Sequence, residues 1–341
     1  MSPGSEDPIG STILVAGGAG LLGSAVTCRL AGAGETVVAA DFLGDSVDGR
    51  AVREARAGAL GKLANTTLAR IDLSSRVRTE PLLRRLRPSA VVNAALFDPR
   101  GPGLAPLLEC CRSSGVGFFL HLSDAGLYPD PPEPGTPARE DEPRDAGDDP
   151  YLAQRLQEEA LLEGSGLPYA ILRVFSLFGP ELPERRRSAQ ETETLLRGGP
   201  APFSDDEPRD FLHVDDAARG VEAALRSKPF GEIVNLGSGG GVRPTDLIRA
   251  LSLRAGIAFS FGAAGQPSAR RPRVADTAKA SSLLGFSPAR TLADGVGPIA
   301  VRRSPALPAA RKPEPAEPSV VSRRELFGRF RRPFATGGVR D

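Results

Sequence analysis

Four glycines interrupt the segment STILVAGGAGLLGSAV at residues 11–26, namely Gly17, Gly18, Gly20 and Gly23. Glycine costs about 0.5–1 kcal/mol relative to alanine inside a helix or strand, so this density needs a reason. One interpretation is an ordinary tight turn. The other is a turn whose backbone a ligand approaches closely. A helix that starts after such a turn presents free N–H groups and a partial positive charge, which suit a phosphate.

Two carboxylates follow the next apolar runs. Asp41 ends the run TVVAA about 20 residues beyond the glycines, where a carboxylate can accept hydrogen bonds from both hydroxyls of an adenosine ribose. We expect Asp41 to be exposed at the strand end, and its charge would repel a 2′-phosphate, so NAD is predicted rather than NADP. A cap of the next turn is the alternative role. Asp72, in RIDLSS, is predicted to meet the adenine edge.

Strands and helices alternate through the first half of the chain. Strands are predicted at 12–16, 36–40, 67–71, 90–94, 116–122 and 168–173, and helices near 21–32, 50–60, 76–86, 103–114 and 150–164. This order, with strands apolar on both sides, predicts an α/β fold: a doubly wound parallel Rossmann sheet. Gly17 then permits the tight turn, Gly20 lets the backbone approach a pyrophosphate, and Gly23 lets the helix pack on the strand.

Beyond residue 174 the pattern is looser and predicts a smaller C-terminal substrate-binding lobe, interleaved with the first domain. Helices are predicted near 187–197, 215–226 and 244–255, and short strands near 209–213 and 232–236. The predicted organisation is a disordered N-terminus (1–10), an NAD-binding domain (11–174), the smaller lobe (175–300), and a Pro-rich linker with a basic amphipathic tail (301–341).

Composition excludes several classes of protein. Residues 302–341 hold ten Lys or Arg against four Asp or Glu, so the rest of the chain carries 33 basic against 38 acidic residues. A slightly acidic body argues against nucleic acid as the main ligand. Three cysteines and two histidines show no metal-ligand spacing, and no metal is predicted. With no apolar run of membrane-spanning length and no signal peptide, we expect a cytoplasmic protein.

Several longer motifs resemble the extended short-chain dehydrogenase/reductase family, the NAD-dependent epimerases and dehydratases of nucleotide sugars. The resemblance covers about residues 12–297. It rests on GGAGLLG, AVVNAA (with Asn93 where histidine is common), LRVFSLFGP, RDFLHVDDAARGV, IVNLGSGGGV and VADTAKASSLLGFSPARTLADGV. The run DGRAVREARAGAL is similar to UDP-glucuronate epimerases in particular.

The resemblance implies a catalytic tyrosine that takes a proton from a sugar hydroxyl while NAD takes the hydride. Tyr151 matches that tyrosine, and Arg155 stands where the family has a lysine that holds the nicotinamide ribose. Arginine keeps the positive charge that favours a tyrosinate, but it is a planar fork rather than a compact ammonium. A Tyr–Arg pair one turn apart also suits any surface helix.

The family's catalytic serine or threonine matches Asp124, four residues before Tyr128. An ionised aspartate accepts hydrogen bonds but donates none, and its charge would raise the pKa of Tyr151. A shift of one residue would bring the hydroxyl of Ser123 into that place instead. The Asp–Glu pair of the family's sugar dehydratases is absent, since Ala125 and Gly126 stand there, so a 4,6-dehydratase is not expected.

The resemblance also assigns binding residues. The substrate is expected to contact Ser176, Arg209 and Arg271, the arginines holding the nucleotide diphosphate. The cofactor is expected to contact the glycines, Asp41, Asp72, Tyr151 and Arg155. Further expected cofactor contacts are Leu21, Leu22, Leu73, Ala94 and Ala95.

The predicted function is therefore an NAD-dependent nucleotide-sugar epimerase, most specifically a 4-epimerase. The alternatives are a non-catalytic NAD-binding scaffold or sensor and an NAD-dependent reductase of another carbonyl substrate. By resemblance a homodimer is expected. Leucines at helical spacing in 103–114 and 150–164 are candidate dimer contacts; alternatively, they belong to the core of a single subunit. These leucines are Leu104, Leu107, Leu108, Leu152, Leu156 and Leu161.

The tail segment SRRELFGRFRRPF, residues 322–334, sets aromatic side chains among five arginines after a proline-rich spacer. A disordered, solvated tail is one interpretation. The other is a short helix that folds on a protein partner or an anionic surface, burying the aromatics.

Overall fold

The computed structural model describes residues 12–44, 49–97, 103–178, 206–246, 249 and 271–290. The strands are β1 (Ile13–Ala16), β2 (Val37–Asp41), β3 (Thr66–Arg70), β4 (Ala90–Asn93), β5 (Phe118–Asp124), β6 (Pro137–Ala138), β7 (Tyr169–Val174), β8 (Ser176–Phe178), β9 (Arg209–His213), β10 (Glu232–Leu236), β11 (Gly241–Val242) and β12 (Val274–Ala275). The helices are α1 (Leu21–Gly32), α2 (Arg50–Leu60), α3 (Arg76–Leu86), α4 (Ala105–Ser113), α5 (Pro150–Glu163), α6 (Val214–Ser227) and α7 (Ala278–Leu284), and a 3₁₀ turn covers Ala125–Leu127.

The main sheet has seven parallel strands in the order β10-β7-β5-β4-β1-β2-β3. The central strands β1, β2 and β4 are buried along their whole length, as a sheet covered on both faces requires. Alternate residues of β1 enter the two core layers. Ile13 packs in the layer that holds Leu30 of α1, and Leu14 packs in the layer that holds Leu107 of α4. The predicted doubly wound fold is confirmed.

The strand order reverses between β1 and β4, because the chain runs outward through β2 and β3 before it returns to the centre. Ligands of open α/β sheets bind at this switch point, beyond the carboxyl ends of the strands. The glycine turn follows β1 here, and Ala94 and Ala95 follow β4.

Beyond β7 the chain builds two small sheets, β11-β9-β8 and β12-β6, and it also returns to the main sheet. The strand predicted near 232–236 is β10, which pairs in parallel with β7 rather than forming part of a separate lobe. Helix α6 packs on α1 beside it. The described residues between 12 and 290 belong to one compact unit.

Sequence reasoning missed β6, β8, β11, β12 and α7. The predicted helix at 187–197, most of that at 244–255, the N-terminus and the tail lie outside the described residues. None of the helices in the described part of the chain has the length and apolar character that crossing a bilayer demands.

The structure buries most of the leucines considered as a dimer contact. Leu104, Leu107 and Leu108 lie in the core beneath α4, and Leu152 is buried under α5, whereas Leu161 is partly exposed. Helix α4 needs its apolar face to cover the sheet, so Leu104, Leu107 and Leu108 are not available to a second copy. The homodimer itself stays a prediction.

Candidate active site

The glycine turn leaves no room for side chains. A Cβ on Gly17, whose φ is +73°, would lie 2.7 Å from the backbone of Ala95, and one on Gly23 would lie 2.1 Å from the Gly17 carbonyl oxygen. Helix α1 begins at Leu21 after Gly20, and no side chain caps its first N–H groups. The turn therefore presents bare backbone and the positive end of α1 to the crevice, which fits the pyrophosphate of a dinucleotide.

Asp41 closes the crevice at the end of β2, and it is buried. Its Oδ2 accepts the N–H of Ala19 at 2.9 Å, and its Oδ1 accepts the N–H of Leu43 at 2.8 Å. The same carboxylate forms an ion pair with Arg53 of α2. The expectation of an exposed carboxylate is wrong, since Asp41 is only 2% exposed and also holds the glycine turn against β2.

The other predicted cofactor residues lie along the same edge of the sheet. Asp72 Oδ1 accepts both the N–H and the hydroxyl of Ser74, at 2.9 and 2.6 Å, which shapes the turn after β3. Leu73 is buried in the core. Leu22 and Ala94 line a cavity that leads away from the glycine turn.

Tyr151 reaches this cavity from the first turn of α5. The helix begins at Pro150, and the carboxylate of Asp149 caps it by accepting the N–H of Tyr151 at 2.8 Å. The Tyr151 hydroxyl donates to Asp124 Oδ2 at 2.9 Å, and Asp124 Oδ1 accepts the N–H of Gly126 at 2.7 Å. The structure thus brings together two predicted catalytic residues from β5 and α5, with the carboxylate held in one orientation.

The Ser123 hydroxyl has a different partner. It donates to Glu159 Oε1 at 2.5 Å. Glu159 is fully buried and pairs with Arg173, whose Nη2 lies 2.9 Å from Oε2. Ser123 lines the cavity, but its hydroxyl is hydrogen-bonded to the glutamate of this buried ion pair. The group hydrogen-bonded to the Tyr151 phenol is Asp124.

Arg155 lies beneath Tyr151 and is buried. Its guanidinium carbon is 5.5 Å from the centre of the tyrosine ring. Its Nη2 lies 3.0 Å from Glu158 Oε2 and 3.2 Å from Oε1, one turn further along α5. Its Nε has no hydrogen-bond partner among the described residues. Burial raises the pKa of Glu158, while the charge of Arg155 and a hydrogen bond from Gln154 oppose that rise.

His121, also buried, completes this polar cluster. Asn93 accepts the N–H of Ala95 through Oδ1, so its amide nitrogen faces His121 Nδ1 at 3.0 Å. An amide nitrogen only donates, so Nδ1 is the acceptor and the ring proton lies on Nε2, 3.6 Å from Glu158 Oε2. Burial, and secondly the charge of Arg155, lower the pKa of His121 to about 3, so the ring is neutral.

Sequence reasoning singled out neither His121 nor Glu158 as site residues. The available signal was weak: one histidine in a predicted strand that is otherwise apolar, and two adjacent glutamates, Glu158 and Glu159, in a predicted helix.

The cavity has a volume of about 340 Å³ and joins the cofactor crevice to an arginine-rich wall. Predicted substrate residues Ser176, Arg209 and Arg271 line it, together with Arg273, which was not predicted. Arg271 and Arg273 are braced by ion pairs with the carboxylates of Glu207 and Glu142, both at 2.8 Å. This wall offers fixed guanidinium groups, which suit phosphate oxygens.

A glycine turn at the switch point of a doubly wound sheet, followed by an acid at the end of the second strand, defines a dinucleotide-binding Rossmann protein. The model of the NAD dependent epimerase/dehydratase family matches residues 13–237, and the chain belongs to that family. The predicted family is thereby confirmed.

Individual proteins agree with this assignment. The UDP-glucuronate 4-epimerase of Thermodesulfobacterium geofontis is 26% identical over 308 residues, covering 83% of this chain and 93% of the relative. The uncharacterized UDP-glucose epimerase YtcB of Bacillus subtilis is 29% identical, but the match covers 57% of this chain and 62% of that protein, less than two thirds of its length.

Among solved structures, the UDP-glucuronic acid 4-epimerase of Bacillus cereus in complex with UDP-glucuronic acid and NAD superposes with a TM-score of 0.73. It is 26% identical, and the match covers 84% of this chain and 96% of that structure. Since the family is NAD-dependent and the glycine cradle fits the dinucleotide, the predicted cofactor, NAD, is confirmed.

Proposed function

We propose that this protein is an NAD-dependent 4-epimerase of a nucleotide-linked sugar. The observation that carries the proposal is the position of Tyr151, whose hydroxyl opens into a cavity between the cofactor crevice and the arginine-lined wall. Membership of the epimerase/dehydratase family and the UDP-sugar epimerases among its relatives support this reading over the scaffold and reductase alternatives.

NAD, when bound, supplies the acceptor and later the donor of the hydride that leaves and rejoins the sugar carbon. Its pyrophosphate would lie on the glycine turn and its adenosine ribose beside Asp41. Arg155 lines the cavity and matches the family's lysine, which holds the nicotinamide ribose. Its buried Nε, which has no hydrogen-bond partner in the described part of the chain, offers a donor to that ribose.

Tyr151 and Asp124 move the proton. As the sugar hydroxyl becomes a carbonyl, its proton passes to the Tyr151 oxygen, and the phenol proton passes to Asp124 Oδ2 across the existing 2.9 Å hydrogen bond. The same path runs backward when the carbonyl is reduced. Inversion requires the carbonyl to offer its opposite face to the returning hydride, so the sugar has to turn inside the cavity between the two transfers.

The nucleotide end of the substrate would lie on the arginine-lined wall. Arg209, Arg271 and Arg273 are placed to neutralise a diphosphate, and Ser176 adds a hydroxyl nearby. A guanidinium group can donate two parallel hydrogen bonds to two oxygens of one phosphate, which orients the substrate as well as neutralising its charge.

A panel of UDP-, GDP- and dTDP-linked sugars tests the proposal. Purified protein is incubated with NAD and each sugar, and the products are separated to detect the epimer, while absorbance follows transient NADH. Tyr151→Phe is the matched control, since it removes the hydroxyl that carries the proton and keeps the aromatic ring. Formation of an epimer by the parent and not by the control supports the proposal. Tight NAD binding without turnover of any sugar would favour the scaffold.

Three further proposals come from the sequence. The family resemblance supports a homodimer, the composition of the chain supports a place in the cytoplasm, and the aromatic and arginine residues of 322–334 support a tail that binds a protein partner or an anionic surface. Sedimentation at micromolar concentration tests the first. Pull-down or vesicle binding with and without residues 304–341, which lie outside the described residues, tests the last.

A further inference from the structure

Glu158 is a buried carboxylate that the proton transfer does not use. It is 2% exposed, and its nearest charged partner is Arg155, itself 2% exposed, at 3.0 Å. An isolated charge at such depth is strongly disfavoured, so each of these groups depends on the other.

The position of Glu158 is fixed from two further sides. Gln154 donates to Glu158 Oε1 at 2.9 Å and also to the backbone carbonyl of Phe97 at 3.0 Å. On the other side lies the neutral ring of His121, whose orientation Asn93 sets. The Arg155 guanidinium that pairs with this fixed carboxylate lies beneath the ring of Tyr151.

The charges around Tyr151 come from several elements. Asp124 of β5 accepts its hydroxyl, and Asp149 caps its backbone N–H. Arg155 of α5 lies under the ring, and His121 of β5 lies behind Glu158 as a neutral group. The guanidinium groups of the cavity wall belong to Arg209, Arg271 and Arg273. Within this set, Glu158 is the carboxylate that offsets Arg155.

We propose that Glu158 is a positioning residue that holds the Arg155 guanidinium against Tyr151 and offsets its charge there. The inference rests on the proposed function, in which Tyr151 carries the proton. Under this proposal, Glu158 determines how strongly the positive charge of Arg155 stabilises the ionised form of the Tyr151 phenol. In the family pattern the lysine's charge acts on the tyrosine; here a buried counter-ion limits that effect.

The ionisation of Tyr151 can be measured directly, because the chain has three tyrosines and no tryptophan. Burial raises the pKa of Tyr128 to about 12, and burial also raises the pKa of Tyr169. The near-ultraviolet absorbance of tyrosinate, titrated in the full-length protein and in Tyr151→Phe, isolates Tyr151 by difference. The titration needs neither substrate nor turnover.

Glu158→Gln leaves Arg155 without its counter-ion, so the acid dissociation constant of Tyr151 should rise about tenfold, as expected for an uncompensated charge within about 4–6 Å. The double variant Arg155→Gln/Glu158→Gln removes both charges and should titrate like the parent. An unchanged titration in Glu158→Gln, or the same shift in the double variant, would overturn the proposal.

If Glu158→Gln does not fold and so cannot be titrated, the folding of the two variants tests the proposal instead. If Glu158→Gln fails to fold while the double variant folds, the role of Glu158 is to balance Arg155, as proposed. If both fail, Glu158 serves packing alone and the inference is wrong. Turnover of nucleotide sugars by the parent is a separate measurement, so failure here leaves the proposed epimerase activity untouched.

Discussion

The phenol O–H of Tyr151 donates to Asp124 Oδ2 across 2.9 Å, and the N–H of Gly126 holds the other carboxylate oxygen at 2.7 Å. An ionised carboxylate only accepts, so in this pair the proton lies on the phenol and the negative charge on Asp124. A serine or threonine in this place would have left the phenol without a neighbouring anion. The expected consequence is a proton path through two residues, in which Asp124 is the final acceptor.

Restoring the family's residues should therefore impair this enzyme. In Asp124→Ser/Arg155→Lys, the serine cannot take the phenol proton, and the single nitrogen of a lysine cannot occupy both the position of Arg155 Nη2 at Glu158 and that of the buried Nε. We expect kcat/KM to fall about 10²-fold, the scale of one general acid–base group. Steady-state kinetics on the sugar that the parent epimerises measures it, and both single variants show whether the effects couple. Equal or higher activity of the double variant would mean that the parent site is impaired rather than retuned.

The sheet could be predicted from the sequence because strands buried on both faces leave continuous apolar runs, as in the residues VVAA that precede Asp41 in β2. The glycine turn could also be predicted, because four glycines between a strand and a helix are a recognisable pattern even though one of the contacts that requires them, between Gly17 and Ala95, joins distant segments. Strands of two or three residues such as β6 and β8 contain too little pattern to be recognised.

The reactive half of the site was harder to predict. Tyr151 and Asp124 could be placed because each matches a motif, and their hydrogen bond follows from the way α5 crosses the end of β5. The buried pair of Glu158 and Arg155 could not, because i,i+3 spacing of opposite charges is also typical of an exposed helix face. Burial of that face depends on packing between distant segments, which no local spacing reveals.

Gly23→Ala tests the glycine turn, with Gly32→Ala in the same helix as a matched control. A methyl group at Gly23 would overlap the Gly17 carbonyl, whereas one at Gly32 meets nothing within 4 Å. We expect Gly23→Ala to lower the free energy of unfolding by about 1–3 kcal/mol and to weaken NAD binding. Gly32→Ala should be neutral or stabilising by up to about 1 kcal/mol. Urea denaturation and calorimetric titration with NAD measure both, and equal behaviour of the two variants would refute the close approach.

Asp41→Ala should weaken both NAD binding and the fold. The carboxylate accepts the N–H groups of Ala19 and Leu43, and each buried donor left without a partner costs about 1–3 kcal/mol. Asp41→Asn keeps the size and one acceptor oxygen, so its loss of stability should be smaller. NAD affinity should fall at least about tenfold in Asp41→Ala, the equivalent of one lost hydrogen bond. An alanine variant as stable as the parent would contradict the structural role, and one that binds NAD equally well would contradict the ribose assignment.

The acid sensitivity of the fold should depend on His121. Its pKa in the folded protein is about 3, below the value of about 6.5 of an exposed histidine, because burial and the charge of Arg155 disfavour its protonation. The unfolded chain therefore binds this proton first as the pH falls. Stability is complete above about pH 6.5 and is lost toward pH 3, by up to about 1.4 kcal/mol per pH unit. In His121→Gln, which stays neutral, the free energy of unfolding from urea titrations should be lower at neutral pH but fall less steeply below it. Carboxylates contribute to both proteins and cancel in the difference, so parallel curves would show that His121 is not the group whose protonation unfolds the chain.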